Sequence, residues 1–129
     1  MKLVHPKPID LLPLSHAQFH ILLVLTKGKN HGYGIMKEIE AETRGRFKVG
    51  PATLYRSIKR MLDANLIEET DEQPDPEIDD ERRRYYRLLK FGRCVVTAEA
   101  QRLDELVKIA RVRHLIGKSA SIETSGKDA

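Results

Sequence analysis

The spacing of apolar residues changes once along this chain, and that change constrains the fold more than any other feature. Three segments between residues 15 and 65 carry apolar side chains at the spacing of one face of a helix. Two short segments that follow, residues 66–70 and 83–89, are rich in residues typical of strands, and a polar stretch with two prolines separates them. This order predicts three helices followed by a β-hairpin with a long loop.

Signals at the segment ends place the predicted helices. Ser15 is a favourable N-cap, Pro51 occupies a first turn where proline is tolerated, and Asn65 suits a helix end. The first segment is apolar nearly all round, so we expect it to be buried. The predicted helices run from His16 to about Lys27, from about Tyr33 to Thr43 and from Pro51 to Asn65, and a long helix follows Gly92 and runs to about Leu115.

These elements predict one domain with appended segments. A length of 129 residues supports one modest core. The fold class is mainly α with a small β-hairpin, an α+β arrangement. The predicted organisation is an irregular N-terminal arm over residues 1–14, a helical and hairpin domain over 15–90, a C-terminal helix over 91–116 and a flexible tail over 117–129.

Positive charge is concentrated in one part of the sequence. Residues 15–66 contain nine lysines and arginines against four acids, whereas nine acids lie between residues 68 and 81. The whole chain has a formal net charge of +4. A basic segment of this kind is what contact with nucleic-acid phosphates requires, so the charge permits DNA binding without requiring it.

The third predicted helix has two different faces. Its apolar stripe contains Leu54, Ile58, Met61 and Leu62. The opposite face has small residues first and cations further along, namely Ala52, Thr53, Arg56, Lys59 and Arg60. Such a helix fits the major groove of B-DNA, where Arg56 could reach guanine while Lys59 and Arg60 meet the backbone. A merely solvated face has the same pattern, but the hairpin and the segregated charge favour a winged helix-turn-helix DNA-binding domain.

The end of the hairpin loop adds a second basic group. Arg82, Arg83 and Arg84 are candidates for contact with the minor groove or with phosphates. The acids within residues 75–80 would be repelled by DNA, so we expect them either to point away from the duplex or to weaken nonspecific binding. Tyr85 and Tyr86 alternate across the strand, which predicts that one ring packs on the core and the other faces outward.

The last helix carries an apolar seam. The seam residues, at alternating spacings of four and three, are Val96, Ala100, Leu103, Val107 and Ala110. Leu106, Ile109 and Leu115 widen the stripe beyond what one small domain would cover. A second copy would bury it, which predicts a two-fold homodimer. Two recognition helices would then meet successive major grooves of a pseudo-palindromic operator, with half-sites about 10 bp apart or a multiple of that.

Four motifs, in this order and spacing, resemble those of the PadR family of transcriptional regulators. They are residues 14–22 (LSHAQFHIL), 31–35 (HGYGI), 50–55 (GPATLY) and 84–88 (RYYRL) followed by Gly92. The resemblance covers roughly residues 14–115. It implies a winged helix-turn-helix with a C-terminal dimerisation helix, a regulator that usually represses by binding an operator, and often release of DNA by a small effector.

The same resemblance implies roles for single residues. Tyr33 would lie near the DNA backbone at the start of the second helix, and Tyr55 would sit beside the DNA. We include Lys37, on the outer side of the second helix, among the predicted DNA contacts. His31 has two open readings, a helix-capping residue or a DNA contact. By analogy, an effector pocket would be lined by residues such as Phe19, Leu103 and Val107.

Other function classes find little support. His16 and His20 form a helical pair without a third metal ligand, and no catalytic or phosphate-loop motif is present. We therefore predict no enzyme, no metal and no cofactor. No apolar run is long enough to span a bilayer, and the single cysteine, Cys94, allows no disulfide within the chain, which favours a cytoplasmic protein. The remaining alternative is a winged helix that binds another protein and not DNA.

Overall fold

A computed structural model describes residues 6–70 and 84–117 of the chain. Its helices are α1 (His16–Leu25), α2 (Gly32–Glu42), α3 (Pro51–Asp63) and α4 (Lys90–Val112), and a single 3-10 turn at Pro8–Leu11 precedes them. Its strands are β1 (Asn30–His31), β2 (Ile67–Thr70) and β3 (Tyr85–Leu88). The predicted fold class, mainly helical with a small sheet after the third helix, is confirmed.

The sheet has one strand more than the sequence predicts. The three strands are antiparallel in the order β1-β3-β2, with Asn30 opposite Tyr86 and Ile67 opposite Leu88. The sequence indicates only a turn at residues 28–32. Two residues are too few to show the alternation of a strand, so β1 becomes visible only through its pairing with β3.

Local signals at the helix ends hold in the structure. The Ser15 hydroxyl oxygen accepts a hydrogen bond from the Gln18 amide at 3.0 Å, and the Gln18 side chain accepts one from the Ser15 amide at 3.2 Å. This reciprocal capping box fixes the start of α1. At the end of α3, Asn65 adopts a left-handed φ of 61° and the Leu66 amide donates to the Met61 carbonyl at 2.9 Å, which stops the helix two residues earlier than predicted.

The apolar helix α1 lies at the centre of the core, as its sequence predicts. Ile21 and Leu22 have no exposed surface, and the side chains that surround them come from α2, α3, β2, β3 and the start of α4. Burying residues of this size stabilises the fold by roughly 1.5–3 kcal/mol each relative to exposure. Among the largest buried contributors from the other elements are Ile35, Ile39, Leu54, Met61, Ile67 and Val95.

The chain forms two compact units, which divide within α4 after Glu99. The predicted boundary between residues 90 and 91 instead coincides with the start of α4. The first turns of α4 belong to the first unit, where Val95, Val96 and Glu99 are buried. The Glu99 carboxylate accepts a hydrogen bond from the Leu14 amide at 3.1 Å, so it ties the segment before α1 to α4.

Several predictions of the sequence lie outside the described residues. These are the acids within residues 75–80, Arg82 and Arg83, the tail from residue 118 and the first five residues of the arm. No helix within the described ranges is both long enough and apolar enough to cross a membrane.

Candidate nucleic-acid interface

Helix α3 presents the two faces that its sequence predicts. Leu54, Ile58 and Met61 are buried against the core. The predicted contact residues on the opposite side are all exposed, namely Ala52, Thr53, Arg56, Lys59 and Arg60. Gly50 precedes the helix without a side-chain cap, and no acidic residue occupies the first turn. The N-terminal end of α3 therefore has small side chains, no side-chain cap and no negative charge.

The cations of this face differ in their partners. Lys59 lies 3.8 Å from the Asp63 carboxylate, a pair that is largely exposed and so contributes little to stability. Arg56 and Arg60 form no ion pair with any residue in the described ranges. Their charge is therefore available to a ligand from outside the chain.

The HGYG motif builds the start of α2. His31 is its N-cap, since the His31 Nδ1 accepts a hydrogen bond from the Gly34 amide at 3.0 Å. A Cβ at Gly34 would overlap the side-chain amide of Asn30 and press on the His31 ring, so a larger residue there would displace the Asn30 side chain. Of the two readings that the sequence leaves open for His31, the structure shows the capping one.

Tyr33 is the exposed residue of the same motif. Its side chain is 59% exposed, and the Lys37 Nζ lies 5.6 Å from the centroid of its ring. A lysine over an aromatic face is a cation–π contact that holds the two side chains together. The two predicted contacts on α2 thus form one exposed pair.

Tyr55 packs more tightly than a simple surface residue. It is half-buried, and its hydroxyl lies where a Cβ would stand at Gly32. Tyr55 of the GPATLY motif thereby fits against Gly32 of the HGYG motif and joins α3 to the start of α2. A contact between Tyr55 and DNA remains a prediction.

The base of the predicted wing carries paired charges. Arg84 is exposed and lies 3.4 Å from the Glu69 carboxylate across the β2–β3 pair, and Arg87 pairs with Glu68 in the same way. Arg84 is the only one of the three predicted wing arginines that falls within the described ranges. Any contact that it makes with DNA has to compete with Glu69.

The two adjacent tyrosines of β3 face opposite sides, as predicted. Tyr86 is 5% exposed, and burial raises the pKa of its phenol, with the nearby Glu69 adding to the effect. Tyr85 is half-buried, with its ring centroid 5.1 Å from that of His31 and 5.8 Å from the Lys29 Nζ. Tyr86 therefore belongs to the core, and Tyr85 covers the β1 edge.

The structure also places residues at this surface that the sequence did not indicate. A groove of about 380 Å³ lies between the first residues of α1 and the α3 face. Ser15, His16 and Gln18 line it together with Ser57, beside the predicted contacts Thr53, Arg56 and Arg60. The capping box marks the start of α1 in sequence, but only the fold brings that start against α3.

The paired histidines of α1 form an aromatic cluster. The His16 and His20 rings have centroids 4.8 Å apart, and the Phe47 ring lies within 5 Å of both. Burial of the ring and the nearby His16 lower the pKa of His20, while Glu42 partly opposes this. Three or more residues able to hold a metal ion come together nowhere within the described ranges.

The predicted seam of the last helix is divided between the two units. Val96 is buried in the first unit, so it offers no surface to a partner. In the second unit Ala100 is exposed, while Leu103, Val107 and Ala110 are half-buried. The larger exposed apolar residues of this unit are Leu106, Ile109, Val112, Leu115 and Ile116. Cys94, on the first turns of α4, is exposed and forms no disulfide with the described residues.

Comparisons with known proteins agree with this fold. A PadR family transcription regulator from Clostridium difficile R20291 is 26% identical, with a TM-score of 0.63, covering 75% of this chain and 96% of that chain. A transcriptional regulator from Clostridium thermocellum is 25% identical, with a TM-score of 0.57, covering 78% of this chain and 92% of that chain. A PadR-like regulator from Bacillus cereus is 20% identical, with a TM-score of 0.61, covering 78% of this chain and 92% of that chain, a likeness of fold alone.

Comparison of the sequence with family profiles identifies the family. No curated protein matches the chain. The profile of the transcriptional regulator PadR-like family matches residues 21–98, which contain α2, α3, the sheet and the start of α4. This is a family of transcriptional regulators and not of enzymes. The chain therefore belongs to the PadR-like family of transcriptional regulators.

Proposed function

We propose that the chain binds double-stranded DNA as a homodimer and represses transcription from a pseudo-palindromic operator. Helix α3 acts as the recognition helix in the major groove. The observation that carries DNA binding is the α3 face, where Arg56 and Arg60 are exposed without ion-pair partners among the described residues.

The start of α3 supports a close approach to DNA. Ala52 and Thr53 are small and exposed, and Gly50 contributes no capping side chain. The first amide groups of a helix lack intrahelical acceptors and carry the positive end of the helix dipole. A phosphate can accept hydrogen bonds from them while the rest of the helix enters the major groove.

We propose different DNA contacts for Arg56 and Arg60, the two arginines of α3 without an ion-pair partner among the described residues. Arginine presents a planar fork of donors that matches either the edge of guanine or a phosphate. Arg56 lies one turn into α3 and is the residue we propose to read a base. Lys59 and Arg60, further along, are proposed to meet the backbone. Tyr33 with Lys37, and the wing arginines 82–84, extend the contact to either side.

The homodimer rests on the apolar surface of the second unit. Leu106, Ile109 and Val112 are 48%, 52% and 75% exposed and follow each other at intervals of three along α4. Large apolar residues exposed in a row mark an association surface. A second copy is the proposed occupant, since two-fold symmetry would present two recognition helices to one operator. Leu103, Val107 and Ala110 of the predicted seam would border it.

Repression and release by a small effector complete the proposal. Both rest on the family resemblance and on the usual way in which such regulators act.

The dependence of DNA affinity on salt tests direct binding. We expect the logarithm of the affinity for a generic duplex to fall linearly with the logarithm of the salt concentration, by about 0.9 per neutralised phosphate. Selection of bound sequences from a random pool then supplies the preferred half-site. Arg56→Ala should reduce discrimination against altered half-sites by roughly 1–3 kcal/mol, because one base contact is lost.

Two further variants make the result specific. Lys59→Ala should weaken binding to all sequences similarly and lower the salt slope by about one. Arg93→Ala, which removes an exposed arginine from α4, is the matched control and should leave the slope unchanged. A flat salt response would instead favour the alternative, a winged helix that recognises another protein.

A further inference from the structure

The groove between α1 and α3 combines several hydrogen-bond donors and lacks acids. Its walls come from the first turn of α1, from Phe47 in the connector before α3, and from one side of α3. Its volume of about 380 Å³ exceeds that of a phosphate group, and no carboxylate lines it. The groove therefore favours a negatively charged occupant.

The start of α1 supplies backbone donors to this groove. The capping box uses the Gln18 amide, and the Phe19 amide donates to the Ser15 carbonyl at 3.0 Å. The amides of His16 and Ala17 belong to the first turn, where a helix offers no acceptors of its own. No acidic residue lies in that turn to meet the positive end of the helix dipole.

Ser57 is a second feature of this groove, independent of the helix start. The described residues contain two buried polar or charged side chains, Glu99 and Ser57. Glu99 accepts a hydrogen bond from Leu14, whereas the side chain of Ser57, only 8% exposed, has no hydrogen-bond partner among the described residues. Ser57 lies on the groove wall, and its hydroxyl is not enclosed by protein, since the one enclosed side-chain polar atom without a partner among the described residues is His20 Nδ1. The Ser57 hydroxyl is therefore open to the groove and can donate a hydrogen bond to an occupant there.

Arg60 provides the charge for a phosphate, and the neighbouring Arg56, proposed to read a base, makes the groove more positive. Both line the groove, and both lack an ion-pair partner among the residues that the structure describes. Lys48, by contrast, has Glu40 within 3.8 Å, and it is not part of the lining. Guanidinium groups, a hydroxyl and helix N-terminal amides together match the oxygens of a phosphate.

We infer that this groove is a phosphate-binding site formed by the first turn of α1, Ser57 and Arg60. In the complex with DNA its occupant is a backbone phosphate beside the major groove that α3 enters, and in this respect the inference rests on the proposed function. The same chemistry would accept a free phosphate. The site adds α1 to an interface that the sequence assigned to α2, α3 and the wing.

A pair of hydroxyl variants tests the site. Ser57→Ala removes the proposed donor, and Thr97→Ala removes an exposed hydroxyl from α4 as the matched control. Because a hydrogen bond to a charged group is lost, Ser57→Ala should weaken duplex binding about tenfold for every sequence. Its stability to denaturant should be unchanged or higher, since the hydroxyl has no partner within the folded chain. Arg60→Gln should lower the salt slope by about one.

NMR of the full chain distinguishes the two sources of phosphate. The amide signals of His16 and Ala17 are followed during titration with generic duplex DNA, with inorganic phosphate, and with sodium chloride of matched ionic strength. Shifts with DNA alone assign the site to the DNA backbone. Shifts with DNA and with inorganic phosphate, but not with chloride, show that the groove also takes free phosphate.

Failure of this inference and failure of the proposed function give different results. If the chain binds DNA with a normal salt slope but these amides do not move, or if Ser57→Ala binds as tightly as Thr97→Ala, the phosphate site is wrong and DNA binding stands. If the chain shows no affinity for DNA, the proposed function is wrong. In that case shifts with inorganic phosphate would uphold the groove as an anion site, and their absence would overturn it.

Discussion

At the scale of single residues, the start of α2 depends on neighbours that constrain one another. His31 caps the helix through a ring nitrogen that accepts a hydrogen bond, and Asn30 in turn accepts from the His31 amide at 2.8 Å. Gly34 makes room for both side chains, and Gly32 makes room for Tyr55. The motif is therefore a packing unit that fixes α2 against α3, and within it Tyr33 remains exposed for contact.

His20 predicts a dependence of stability on pH. The pKa of its imidazole is lowered from 6.5, mainly because burial desolvates the ring and also because His16 is close. The folded chain therefore binds this proton less readily than the unfolded chain, so the free energy of unfolding should fall as the pH drops below about 6.5. Denaturant unfolding at about pH 8 and about pH 5.5 measures the fall.

Two histidine variants isolate the source of that fall. His20→Leu removes the buried imidazole. The free energy of unfolding of this variant should therefore fall less between the two pH values than that of the wild type. His114→Asn changes an exposed histidine in a left-handed conformation that asparagine tolerates, and it should keep the wild-type dependence. An undiminished fall in His20→Leu would contradict a role for His20.

Single residues also show where sequence reasoning reached its limit. Ser15 and Pro51 act on their own helices, and their positions are predictable because capping is local. The sequence could not choose between capping and DNA contact for His31, since both suit an exposed histidine before a helix. Ser57 carried no signal at all, because its isolation from partners is a property of the packed groove.

At the scale of elements, the approach of the first turns of α4 to the segment before β2 depends on one close contact. The sequence places Gly92 before the last helix, whereas α4 begins at Lys90 and Gly92 is buried inside it. A Cβ at Gly92 would overlap the Leu66 carbonyl, which is backbone and cannot turn aside, and would press on Leu88. The glycine is thus required by the approach of α4 to the start of β2 and not by a helix end.

Gly92→Ala should therefore destabilise the chain. Alanine favours a helix interior by about 1 kcal/mol over glycine, so propensity alone predicts a gain. We expect instead a net loss of roughly 1–3 kcal/mol in the free energy of unfolding, because the added methyl group overpacks the contact. Gly117→Ala, where an added Cβ meets nothing within 4 Å, is the control and should change stability little. A gain in Gly92→Ala would show that α4 does not approach Leu66 so closely.

At the scale of the whole molecule, association tests the proposed dimer. We expect the wild type to sediment as a dimer at micromolar concentration. Ile109→Glu places a charge in the exposed apolar row of the second unit, and it should shift the chain toward monomer because burial of an unpaired charge is costly. DNA affinity should fall with it, since one chain engages one half-site. A monomeric wild type would contradict the proposal.

The control for this experiment carries the same charge. Gln101→Glu adds one negative charge to an exposed polar position of α4, so it should sediment and bind DNA like the wild type. Because Ile109 is 52% exposed, its replacement should not unfold the second unit. Equal behaviour of the two variants would place the association surface elsewhere.

The sequence by itself determined the elements, their order and the two faces of α3, because helical periodicity, capping and charge are properties of near neighbours. The PadR-like motifs determined the family for the same reason. Only the tertiary structure decided that β1 joins the sheet, that Val96 belongs to the core and that the apolar surface of the last helix centres on Leu106 and Ile109. The structure likewise decided that a groove lined by the start of α1 and by Ser57 lies beside the exposed face of α3. Contacts between distant segments depend on how helices pack, and no local pattern records them.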